Sequence, residues 1–159
     1  MSKTKPEIRM VAAIAANGTI GHQNRLPWNI EQEYNHYLEL IRDQTVIMGR
    51  RSYEIFGTDL TSKRNVVVSK TINHRAGITV CNSLDGAIEF ASKFNEIIYI
   101  AGGVRIYQQG LAMADSLYIS HIHRNYKGDT FFPSIDPKQW QRAKSVSYPD
   151  FTFTIYRRT

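Results

Sequence analysis

Apolar residues fall along this chain in short runs, and the spacing within each run separates strands from helices. Residues 10–16, Met10-Val11-Ala12-Ala13-Ile14-Ala15-Ala16, form an unbroken apolar stretch closed by Asn17-Gly18. That is the pattern of a strand buried on both faces that ends in a turn. Residues 45–48, 65–68, 77–80 and 97–100 repeat it with β-branched side chains. Between them the period changes from strand to helix. Tyr34, Tyr37, Leu38 and Ile41 recur at i, i+3, i+4 and i+7, which predicts a helix from about Glu31. Ser83-Leu84-Asp85 reads as a cap before a second helix burying Ala87, Ile88, Ala91 and Phe94. Strands alternating with helices predict a mainly parallel sheet with helices on both faces. Residues 116–123, 140–147 and 151–157 read as three closing strands, with Tyr148-Pro149-Asp150 turning between the last two, so an antiparallel C-terminal edge is expected.

Composition fits one such domain. The chain has 159 residues, 42% hydrophobic and 21% charged, with no repeat and no linker-like stretch. A single α/β domain over residues 1–159 is expected, residues 1–7 forming a short N-terminal extension. One cysteine, Cys81, excludes an internal disulfide and a cysteine-based zinc site, and it is expected as a small buried hydrophobe. No apolar leader or membrane-length segment stands out, so the cytoplasm is the expected compartment. Net charge is +6, and residues 44–80 hold six basic side chains against Glu54 and Asp59. Such a window attracts either a multiply phosphorylated small molecule or nucleic acid. No run of four consecutive bases supports the second.

Candidate chemistry begins at Glu33. At ~100° per residue, Tyr37 lies about 40° to one side of it and Leu40 about 20° to the other, which puts a carboxylate on the apolar face of the helix. Either it is a buried acid with a raised pKa that a ligand meets, or it points to water along the helix dipole. Ahead of it, residues 20–29 make a polar loop ending in Leu26-Pro27-Trp28, long enough to act as a lid. Gly49-Arg50-Arg51-Ser52 follows a strand and opens a helix: a phosphate cradle or a solvated basic corner. Ala101-Gly102-Gly103-Val104-Arg105 repeats that layout, with two glycines that let backbone approach a ligand. His121 and His123 share a strand face, but no third ligand at helpful spacing supports a metal, and none is expected. No nucleophile elbow is present.

The order and spacing of these pieces resemble dihydrofolate reductase. The likeness runs through Val11-Ala12-Ala13, Ile20-Gly21, Leu26-Pro27-Trp28 with an acid five residues on, and Val46-Ile47-Met48-Gly49-Arg50. It continues through Asn65-Val66-Val67-Val68-Ser69, Gly102-Gly103, Tyr107, Leu117-Tyr118-Ile119-Ser120 and Gly128-Asp129-Thr130-Phe131-Phe132-Pro133. The resemblance implies NADPH-dependent reduction of dihydrofolate, with antifolate inhibitors as ligands of the same pocket. A monomer is expected, with no nucleic-acid or membrane partner. By resemblance, Glu33 and Ser120 hold the pteridine. The Val11 and Ala101 carbonyls face it, Trp28 holds a water beside it, and Leu26 closes the lid. Ala12, Ala13, Tyr37, Phe56, Leu60 and Lys63 complete the substrate side. Tyr107 sits by the nicotinamide with Ala13, Ile20, Gly21 and Asn24. Gly49, Arg50, Arg51, Ser52, Val68, Ser69 and Lys70 grip the phosphates. Gly102, Gly103, Val104, Arg105 and Ile106 clasp the pyrophosphate, the two glycines joined by a cis peptide in the family.

Three departures qualify the likeness. Lys63 stands where the family has an arginine that pairs with the substrate's α-carboxylate, and a point charge replaces a two-pronged clamp, so a weaker grip is expected. Arg64 substitutes only if the loop shifts by one residue, which would reverse its side-chain face. Val104 follows the two glycines where the family has a glycine trio, and Tyr37 and Phe56 are larger or more polar than usual around the benzoyl tail. Two rivals follow from the residues. A pterin or pyrimidine reductase of riboflavin synthesis would not be expected to place an acid five residues after Leu-Pro-Trp. A non-catalytic polyanion-binding protein would bind salt-sensitively without oxidising NADPH.

Overall fold

The structure, a computed structural model, describes residues 5–72, 75–94 and 96–159. In chain order these form β1 (Ile8–Ile14), β2 (Thr19–Gly21), α1 (Glu31–Ile41), β3 (Thr45–Gly49), α2 (Arg50–Phe56), β4 (Arg64–Val68) and β5 (Thr79–Cys81). There follow α3 (Leu84–Ser92), β6 (Ile98–Ile100), α4 (Val104–Gly110), β7 (Ser116–Ile122), β8 (Thr130–Phe131), β9 (Trp140–Ser147) and β10 (Phe151–Arg158). Eight strands make one sheet in the order β5-β4-β3-β6-β1-β7-β10-β9, and β2 pairs with β8 apart from it.

The first six strands of that order run parallel, and β10 and β9 add antiparallel pairs. Of the three closing strands, β7 therefore belongs to the parallel part. It lies beside β1 with Ala13 opposite Ser120 and Ile14 opposite His121. Strand alternation sends side chains to two apolar layers. Met10, Ile47, Val66, Ile100 and Ile119 meet α3 and α4 on one face, while Val11, Val46, Met48, Tyr99 and Tyr118 meet α1 on the other. With both faces covered, the central strands can be apolar throughout.

Several local expectations hold, and three need correction. The Ser83 hydroxyl accepts from the Gly86 amide at 3.0 Å, a helix N-cap, and Leu84, Ala87 and Ala91 are buried behind it. Phe94 is exposed, because α3 stops at Ser92 and the helical spacing does not reach it; its ring instead carries the Arg64 guanidinium at 3.5 Å. The first strand starts at Ile8, two residues before the apolar run, and Ala16 beyond its end is exposed. Arg9 hides that start in the sequence. It is tolerated inside the strand because its guanidinium lies over Tyr118 at 4.8 Å and donates to Tyr99 Oη at 2.8 Å. Cys81 is half-buried, and burial raises its thiol pKa.

Candidate active site

Short strand ends and tight turns gather the functional groups on one side of the sheet. The Gly49 amide donates to the Gly102 carbonyl at 2.7 Å and the Ala101 amide to Ile47 at 2.9 Å, so the C-terminal ends of β3 and β6 are pinned together beside β1. Ligands of open parallel sheets bind at these ends. Here a cleft of about 250 Å³ opens, walled by β1, the 20–26 loop, α1, α2 and the 101–104 turn.

At its inner end is Glu33, only 5% exposed. Helical periodicity carries it inward between Ile30 and Tyr37, which pack on the same core layer. It is the cleft's one carboxylate among the described residues. Burial raises its pKa and the Ser120 hydroxyl partly offsets that, leaving it at about 7. The outward-pointing alternative for Glu33 is thereby set aside. Around it stand three tyrosines, Tyr34, Tyr37 and Tyr107, whose phenols are raised well above their ordinary range, so they stay protonated. Tyr107 donates to the Val11 carbonyl at 2.8 Å, a buried bond that ties α4 to β1.

The other end is built on glycine. The Gly102–Gly103 peptide is cis, and Gly102 has φ +103°, a region side chains rarely adopt. A Cβ there would stand 3.1 Å from Tyr107 Oη and 3.3 Å from Ser52 Oγ, so bare backbone is what the cleft requires at this point. Arg51, Ser52 and Val104 line the same end, and neither α2 nor α4 has a side chain capping its first amides. A guanidinium, a hydroxyl and uncovered backbone suit a pyrophosphate-bearing dinucleotide, so the residues present fit such a cofactor.

Within the 20–29 loop, expected as a lid, lies a two-residue turn. His22 and Arg25 exchange both backbone bonds, at 2.9 and 3.0 Å, with Gln23 and Asn24 both at positive φ. Asp129 accepts from the Gln23 amide at 3.0 Å, and that bond with the one from Thr130 holds its carboxyl below the usual range. Asn24 Oδ1 lies 3.4 Å from Arg51 Nη1, which joins the lid to α2. Trp28 is buried, and its Nε1–H has no protein acceptor among the described residues.

Of the residues picked from the sequence, Val11, Ala12, Ala13, Ile20, Gly21, Asn24, Leu26, Glu33, Tyr37, Arg51, Ser52, Phe56, Ala101, Gly102, Gly103, Val104 and Tyr107 line this one cleft. Trp28, Gly49, Ser120 and Ile106 are not among its lining residues. Gly49 packs on the glycine turn, with a notional Cβ 3.6 Å from the Gly103 nitrogen. Ser69 and Lys70 line a separate groove with Ile72 and Asn82, past the end of Val68. Arg50 pairs with Glu54 at 2.9 Å, and Arg105 is exposed. Leu60 is not brought to the lining, nor is Lys63, whose ammonium pairs with Glu96 at 3.0 Å. Arg64 joins the same carboxylate at 3.5 Å. Tyr34, Arg25, Ile55 and Thr130 line the cleft without having been singled out. Tyr34 was marked only as part of the helix's apolar stripe, and its neighbour position to Glu33 was the available signal. His121 and His123 bond to Tyr156 and Thr152, and no group of potential metal ligands occurs among the described residues. No helix there is long and apolar enough to cross a membrane.

Taken with the sheet, this cleft defines a class: an α/β fold whose parallel strands end at one largely apolar cleft, with a buried acid among its lining residues and a glycine turn beside a guanidinium and a hydroxyl. A sequence model of the family described as dihydrofolate reductase matches residues 7–158, and the chain belongs to that family. It is 36% identical over 143 residues to dihydrofolate reductase type 3 of Salmonella typhimurium, covering 89% of this chain and 88% of that protein. Dihydrofolate reductase of Bacillus subtilis is 30% identical over 159 residues, covering 95% and 94%. Among solved structures, dihydrofolate reductase from Enterococcus faecalis complexed with NADP(H) and RAB-propyl shares the fold. Its TM-score is 0.86 at 24% identity, over 98% of both chains.

Proposed function

We propose that Glu33 anchors the pterin ring in the reaction to which family membership assigns the chain, NADPH-dependent reduction of dihydrofolate to tetrahydrofolate. The observation that carries this reading is an acid that is 5% exposed, with no basic side chain within ion-pair distance among the described residues, at the inner end of a largely apolar cleft. A buried charge without a partner is costly, and the ring nitrogen and amino group of a pterin supply the missing donors. Glutamate reaches about 1.5 Å further than aspartate would, one C–C bond. NADPH, when bound, supplies the hydride to C6 of the ring.

The chain's own groups do the rest. Gly102, Gly103, Arg51 and Ser52 would hold the diphosphate of the cofactor, and Ser69 and Lys70, in their own groove, would take its remaining phosphate. Tyr107 fixes the Val11 carbonyl at the edge of the ring site. Leu26 and the lid exclude water, which strengthens each electrostatic contact inside. With a pKa near 7, Glu33 is poised to hold the proton that the ring takes up at N5, delivered by water held on the Trp28 Nε1–H. Alignment and field are thus the protein's contribution.

The test is direct. Purified protein mixed with NADPH should oxidise it only when dihydrofolate is added, and Glu33→Gln should keep NADPH binding while losing most of that rate. An unchanged rate in Glu33→Gln would remove Glu33 from the mechanism.

A further inference from the structure

One wall of the cleft carries an arrangement to which the reaction above assigns no role. Tyr34 follows Glu33 on α1, and its ring lies 6.3 Å from Tyr37 and 6.1 Å from Phe56 of α2, centroid to centroid. All three line the cleft. The Tyr34 hydroxyl donates to Asp59 Oδ2 at 2.7 Å. Asp59 is exposed, lies just past α2 and does not line the cleft. One hydrogen bond therefore ties the α1 wall to the segment that carries the α2 wall.

A flat ring held between two others needs roughly 7 Å, twice the ~3.5 Å contact distance between carbons. Tyr34 and Phe56 at 6.1 Å leave less than that. A compact heterocycle seated on Glu33 has no need of the gap. Dihydrofolate does, since it carries an aromatic ring and a carboxylate tail beyond its pterin. The charge beside the gap also disfavours an anionic tail: Asp59 sits at the Tyr34 hydroxyl, and Lys63 and Arg64, four and five residues on, are both engaged by Glu96.

We infer that Tyr34 and Asp59 form a gate that sets ligand specificity: compact flat heterocycles enter freely, while ligands with an aromatic ring and anionic tail must first break the Tyr34–Asp59 bond. This rests on Glu33 as the ring anchor. The experiment compares the KM of dihydrofolate with the Kd of 2,4-diaminopyrimidine, a ring without extension, in wild type, Asp59→Ala and Tyr34→Phe. Opening the gate should lower the dihydrofolate KM about fivefold in both variants, the scale of one exposed charge-assisted hydrogen bond, and move the diaminopyrimidine Kd less than about twofold. An unchanged or raised KM, or equal shifts for both ligands, overturns the gate. Glu33→Gln in the same series separates the two readings. If it leaves diaminopyrimidine binding intact, the anchor fails; if it abolishes binding while the KM stays unmoved in the gate variants, the gate alone fails.

Discussion

Glu33 and Glu96 are the same residue type under opposite conditions. Glu96 sits near the surface with Lys63 at 3.0 Å and Arg64 at 3.5 Å, and those cations hold its carboxyl below the usual range. Glu33 is buried beneath three tyrosines with a single hydroxyl to help it, and its pKa rises to about 7. A paired surface acid is cheap to keep and contributes little. An unpaired buried one costs stability, and such a cost persists where a ligand completes the pairing. The difference between the two marks the site more sharply than the charge of the basic window does.

The largest effect should come from making Glu33 resemble a neutral neighbour. Glu33→Gln is expected to cut turnover at neutral pH by ~10²–10⁴, the usual weight of an acid–base group, read from steady-state kcat with saturating NADPH. The same variant should be more stable than wild type under alkaline conditions. Glu33 is raised on folding from near 4.5 to about 7, so the folded protein binds the extra proton between those values. The stability linked to that proton is fully present below pH 4.5 and lost as pH rises through about 7. Chemical denaturation at about pH 8 should show Glu33→Gln ahead by about 3 kcal/mol at most, the gap closing below the ordinary carboxylate pKa. A smaller change is expected for Ser120→Ala. Without that hydroxyl the Glu33 pKa rises further, and the alkaline limb of the kcat/KM profile should move to higher pH. Smallest of all, Glu96→Gln should change stability within about ±0.5 kcal/mol, since its partners remain solvated. A large loss there would erase the contrast.

Much of this was legible in the residues. The helical period placed Glu33 on a buried face, Ser83 announced its cap, and β-branched runs marked β3, β4 and β6. Other features lacked a local signal. Strands of two and three residues, β8 and β2, are too short to show a period, and they are held by long-range pairing across the lid. The start of β1 was masked because Arg9 is satisfied by Tyr99 and Tyr118, which are distant in sequence. The same holds for Lys63: the resemblance suggested a ligand contact, while its partner Glu96 comes from another loop. Tyr34 read as one more apolar position because the bond to Asp59 depends on how α1 meets the turn after α2.

The central claim is that position 33 holds a dry acid without a cationic partner among the described residues. Its most direct test is the pH titration of the Glu33 carboxyl carbon by NMR in the ligand-free protein. A midpoint at about 7 is the expected result, and a midpoint in the ordinary range near 4.5 would contradict it.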